Sequence, residues 1–161
     1  MTTSERPSKL QTYFKLAVVW ANQATCTRAQ HGAVYVTEDG HVVSSGYNGS
    51  PRGMPQCDEV GCLLDVNHCV RSVHAEINGI LQAARVGVSL KGTDVFITAR
   101  PCIRCFIAMV QVGVRRIFYP ITSSYTSDDE RALMDLYYKT NLEMFIVDVE
   151  KNIPIKFSNY P

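Results

Sequence analysis

Apolar residues recur along the chain with two different periods, and the switches between them predict its elements. Leu10, Tyr13, Phe14, Ala17, Trp20, Ala21 and Ala24 share one face at helical spacing. Pro7 suits the first turn of that helix, where an N–H is not needed. Two strand-like runs follow at 32–37 and 41–47, separated by Glu38-Asp39-Gly40. Asp-Gly favours the positive-φ turn of a hairpin, so these runs read as an antiparallel pair. Between 48 and 71 the pattern lapses into an irregular stretch with Pro51, Gly53, Pro55, Gly61 and three cysteines. A stretch that long without regular structure is usually functional or pinned by something. Helical spacing returns at 73–86 and stops at Gly87, which suits a left-handed cap. A β-branched strand at 93–98, a helix at 102–112 halted by Gly113 and a strand at 114–119 come next. Asp128 and Asp129 oppose the dipole at the start of a helix reaching about residue 138, and 143–149 reads as a last strand.

The resulting order is α-β-β-α-β-α-β-α-β. Strands joined through helices lie parallel with right-handed crossovers, and the opening hairpin adds an antiparallel neighbour. The expectation is an α/β fold in three layers, α-β-α, around a mixed five-stranded sheet. No linker or repeat divides residues 5–149, which read as a single domain, with 150–161 as a C-terminal tail.

Composition narrows the function classes. The 161 residues are 46% hydrophobic and 19% charged, ordinary for one globular domain with a substantial core. A net charge of +1 without a basic run disfavours a nucleic-acid polymer as partner. The apolar runs are too short to cross a bilayer, and residues 1–9 lack the apolar stretch of a secretory signal. The chain therefore reads as cytoplasmic, without a membrane partner. In such a reducing compartment six cysteines point to metal rather than to disulfides.

The chemistry sits in two short motifs: His74-Ala75-Glu76, and Pro101-Cys102-Ile103-Arg104-Cys105. His74, Cys102 and Cys105 supply one imidazole and two thiolates, three corners of a zinc tetrahedron with the fourth left for water. Cysteines at i and i+3 share a helix face, and a helix N-terminus lowers thiol pKa towards the thiolate a metal requires. Each motif opens a helix that follows a strand, and both helix N-termini come to the carboxyl end of the sheet. Glu76 reads as the proton shuttle for a zinc-activated water. Together the motifs match the H-x-E…P-C-x-x-C signature of zinc deaminases.

The sequence resembles the cytidine and deoxycytidylate deaminase family over about residues 9–130. The resemblance rests on Thr25-Cys26-Thr27-Arg28, Gly32-Ala33-Val34, Gly46-Tyr47-Asn48-Gly49, Cys57-Asp58-Glu59-Val60-Gly61, His68-Cys69-Val70-Arg71 and the two metal motifs. The cysteine-bearing insert before His74 points to the dCMP deaminase branch. His31, where the family usually has an aliphatic residue, and Gly79, usually alanine, depart from its pattern.

The resemblance implies a cytidine deaminase-like fold. It also implies zinc-dependent hydrolysis of dCMP to dUMP and ammonia, supplying dUMP for thymidylate synthesis. On the same basis Asn48 contacts the deoxyribose, Arg28 holds the 5′-phosphate, Ala75 lies against the substrate and Tyr125 stacks near the pyrimidine. A homohexamer regulated by dCTP and dTTP is implied in the same way. Cys26, Cys57, Cys62 and Cys69, with His68 as a substitute, are candidates for a second, structural zinc. The alternatives are a deaminase of 5-modified dCMP, free cytidine, a riboflavin-pathway pyrimidine or tRNA adenosine, and a non-catalytic zinc-binding domain. An intact Glu76 argues against the last of these.

Overall fold

The computed structural model describes residues 6–65, 68–122 and 127–159. Helix α1 (Lys9–Ala21) begins at Ser8, whose side chain accepts from the Gln11 N–H while Gln11 reaches back to the Ser8 N–H, a capping box. The hairpin of β1 (Gly32–Val36) and β2 (Val42–Tyr47) turns at Gly40, with φ of 97°. The stretch expected to be irregular contains a four-residue helix α2 (Cys57–Val60) and a two-strand ribbon of β3 (Leu64–Asp65) and β4 (His68–Cys69). There follow α3 (Ala75–Val86), β5 (Asp94–Ile97), α4 (Ile103–Gln111), β6 (Arg116–Pro120), α5 (Ser127–Tyr137), β7 (Glu143–Asp148) and β8 (Ile153–Lys156).

The main sheet runs β2-β1-β5-β6-β7-β8. Pairs β5–β6 and β6–β7 are parallel; β2–β1, β1–β5 and β7–β8 are antiparallel. This is the expected mixed α/β architecture with one correction: the sheet has six strands, not five. The extra strand, β8, comes from the segment read as a tail. Its sequence, Ile-Pro-Ile-Lys, is too short to carry a periodic signal alone, and pairing with β7 supplies what the pattern lacks.

Alternate residues of the strands enter two cores. Ala33, Tyr35, Val95, Ile97, Ile117 and Met144 face α3, α4 and α5, where Ala83, Phe106 and Leu133 meet them. Val34, Val36, Phe96, Phe118 and Val147 face α1 through Phe14 and Ala17. Phe96, Phe118 and Phe145 are in register across β5, β6 and β7 and stack with centroids 4.7 and 4.9 Å apart. Gly46 lets β2 approach α3 closely, because a Cβ there would overlap the Ala75 carbonyl oxygen and the Gly79 nitrogen. At the start of β5, Asp94 binds Arg115 and Arg116, an ion-pair group separate from the motif residues. Among the described residues no helix is long and apolar enough to cross a membrane.

Candidate active site and metal centre

His74 and Cys102 occupy the N-cap positions of α3 and α4, both in extended backbone conformation (ψ 152° and 165°). Neither side chain makes a cap hydrogen bond, so both are turned to other use. The topology brings them together: His74 Nδ1 lies 3.6 Å from Cys102 Sγ and 3.4 Å from Cys105 Sγ. All three ligand atoms fall within 4.8 Å of one another. One imidazole nitrogen and two sulfurs at this spacing fit the donor set and size of a zinc site with one position left open.

The electrostatics suit a cation. Hydrogen bonding from Cys105, and then from His74, holds the Cys102 thiol down at about 4 against the opposing effect of burial. The Cys105 thiol is pushed up, first by that same contact with Cys102 and then by burial. His74 is raised chiefly by its hydrogen bond to Cys102. Glu76, in the first turn of α3, is 7% exposed, and burial raises its carboxyl above the usual range. The Tyr35 hydroxyl donates to the Glu76 carbonyl oxygen at 2.8 Å and fixes this first turn to β1. A Cβ at Gly79 would overlap the Tyr35 ring, so the glycine that departs from the family pattern makes room for this tyrosine.

A cleft of about 420 Å³ borders His74 and Glu76 and is lined also by Arg28, Asn48, Ala75 and Arg100. Asn48 is buried; its Oδ1 accepts from the His31 N–H at 2.7 Å and its Nδ2 donates to the Ala29 carbonyl at 2.9 Å. It thus shapes the cleft wall as well as facing the cleft. Arg28 lines it from an exposed position, and Ala75 is buried against it. Tyr125 lies outside the described residues.

The fold also reveals two lining residues that motif reading did not assign. His31 lies on the cleft, its imidazole pKa lowered by burial and then by His74. Arg100, directly before the Pro-Cys-x-x-Cys motif, is buried at the cleft. A cation wedged between an apolar strand and a metal motif is the signal that could have found it.

Among the described residues a second group gathers Cys57, Cys62 and Cys69, again within 4.8 Å. Cys26 and His68, put forward with these three as candidate ligands, do not join that group. Both line the cleft instead, beside Cys69. Burial pushes the Cys57 thiol up to about 11. Cys69 is opposed by burial but brought down to about 7 by the backbone N–H groups of Ser72 and Arg71.

The sequence pattern of the cytidine and deoxycytidylate deaminase zinc-binding region matches residues 7–121. The chain belongs to this family. ComE operon protein 2 of Bacillus subtilis is 37% identical over 115 residues, 71% of this chain and 60% of that one. Deoxycytidylate deaminase of Saccharomyces cerevisiae is 33% identical over 132 residues, 78% of this chain and 41% of that one. The chain thus spans about half the length of these two relatives. The crystal structure of dCMP deaminase from cyanophage S-TIM5, in complex with dCMP and dUMP, superposes with a TM-score of 0.74 at 26% identity. That match covers 88% of this chain and 98% of the phage protein.

Proposed function

We propose that the chain catalyses hydrolytic deamination of dCMP to dUMP and ammonia. The observation that carries this reading is the buried Glu76 carboxyl beside the His74–Cys102–Cys105 group, on a cleft furnished with arginines. Family membership and the likeness to deoxycytidylate deaminases, one of them holding dCMP and dUMP, support the substrate.

His74 Nδ1 and the sulfurs of Cys102 and Cys105 would hold zinc. When bound, zinc polarises a water so that it is nucleophilic at neutral pH. Glu76 takes a proton from the attacking water and passes it to ring N3, then carries the second to the amino group, which leaves as ammonia. The C4–O bond forms first and the C4–N bond then breaks; of the two protons of the water, one ends on N3 of the product and the other leaves on the amino group as ammonia. Asn48 serves the deoxyribose and Arg28 the 5′-phosphate, and Ala75 and Tyr125 are the remaining candidates for contact with the substrate. Cys57, Cys62 and Cys69 would hold a second, structural zinc together with one further donor, which would tie the cleft wall at Cys69 to α2.

The test is ammonia release across dCMP, dCDP, dCTP, deoxycytidine, CMP and 5-methyl-dCMP. The expected result is the highest kcat/KM on dCMP. Greater activity on deoxycytidine would overturn the substrate, and no ammonia from any of the six would overturn the deaminase reading.

A further inference from the structure

His31 stands directly before β1 on the wall of the cleft, at a position where the family usually has an aliphatic residue. Its backbone is fully engaged. The His31 N–H donates to Asn48 Oδ1 at 2.7 Å, and its carbonyl accepts from the Asn48 N–H at 3.2 Å. The next N–H, that of Gly32, donates to Thr98 Oγ1 at 3.0 Å and ties this point to the end of β5. The side chain is half-buried, and among the described residues no hydrogen bond reaches its imidazole. Burial, and then His74, keep the ring below its ordinary pKa, so at neutral pH it carries one donor and one acceptor.

The surroundings of the ring limit what it can meet. His74, at the metal end, acts on it electrostatically, and Asn48, which its backbone binds twice, is the residue assigned to the deoxyribose. A pyrimidine nucleoside spans those two ends, with C4 at the metal and N1 at the sugar, so the base lies between them. Among the described residues no phenylalanine, tyrosine or tryptophan lines the cleft, and Ala75, Ile97 and Ala99 form its apolar part. An aliphatic side chain at position 31 would extend that apolar part at no polar cost. An imidazole without a protein partner is served by water in the open cleft until a ligand displaces that water. The ligand then has to return the hydrogen bond, because leaving a desolvated polar group bare is unfavourable.

We propose that the His31 imidazole hydrogen-bonds the pyrimidine base of the substrate and sets affinity for the nucleoside part, independently of the phosphate. The inference rests on the deaminase reading given above and deepens it. His31 binds substrate; the proton transfers belong to Glu76.

The test compares kcat and KM on dCMP and on deoxycytidine for the parent protein, His31→Val and His31→Gln, beside zinc content and thermal melts. His31→Val restores the family's residue type and keeps both backbone bonds to Asn48, so metal and melting temperature should stay near the parent's. Its kcat/KM is expected to fall about three- to tenfold on both substrates, mainly through KM, with the dCMP-to-deoxycytidine ratio unchanged. His31→Gln, whose amide offers a donor and an acceptor, should recover part of that loss. Parental kcat/KM on both substrates in His31→Val overturns the contact. A loss confined to dCMP overturns it too, since the ring would then serve the phosphate, and so does a loss that His31→Gln leaves unrepaired. If His31→Val does not fold, the same outcomes are read from His31→Ala. A parent protein more active on deoxycytidine overturns the dCMP reading alone, while a matched loss on both substrates still upholds the base contact. A parent that releases no ammonia from either substrate overturns the deaminase reading, and the contact falls with it.

Discussion

The two cysteine groups use the same ligand chemistry but are built in opposite ways. His74 and Cys102 stand 28 positions apart and meet because two βα units place their helix N-caps side by side. Cys57 and Cys69 stand 12 positions apart and meet through a helical turn and a two-residue ribbon. The first group has a buried carboxyl next to it and a cleft in front. Among the described residues the second contributes only Cys69 to that cleft, and the acids nearest it in the chain, Asp58, Glu59 and Asp65, are exposed. Donor atoms alone therefore do not separate a reacting centre from a clasp. The groups around the donors do.

Cys102→Ser should break the comparison most severely. It is expected to remove one zinc and abolish ammonia release, measured by elemental analysis beside the activity assay. Glu76→Gln should keep that metal and the fold while losing at least ~10³-fold in kcat, because the proton shuttle goes and the ligands stay. Near-parental turnover with zinc retained would remove Glu76 from the reaction.

On the other side of the comparison, Cys57→Ser should lower zinc content from close to two ions per chain to one. Its melting temperature should fall by roughly 5 °C or more, with a far smaller loss of turnover than Cys102→Ser. A single zinc in both the parent and Cys57→Ser would eliminate the clasp. The smallest expected effect sharpens the first site from a distance. Alanine at Gly79 would press on Tyr35, whose hydroxyl holds the Glu76 carbonyl. Gly79→Ala should cost about 1–3 kcal/mol of stability with a modest fall in kcat, and thermal melts beside initial rates would check it.

The regular part of the fold was legible because its strands alternate and its helices carry their own stops. Gly40 turns the hairpin and Gly87 caps α3, at φ of 97° and 71°, as their sequence contexts suggest. The His74–Cys102–Cys105 group was legible because motif spacing fixes it once both helix starts are placed. What escaped depends on contacts between distant segments. β8 reads as a tail because four residues with a proline carry no period of their own. Residue type alone puts Cys26 beside Cys57, Cys62 and Cys69; which of the four thiols gather depends on the fold of the 48–71 stretch, and among the described residues the last three do. Arg100 carries no motif signal, and the ring it lies over, Phe157, is 57 positions along the chain.

The position of β8 at the outer margin of the sheet has one more consequence. A bare β7 would offer an open row of N–H and C=O groups flanked by Met144, Ile146 and Val147, a template for another chain's strand. β8 covers that row and replaces it with a poorer one: four residues long, with Pro154 lacking a donor and a lysine at its end. The segment that reads as a tail is thereby the protein's guard against edge-to-edge aggregation.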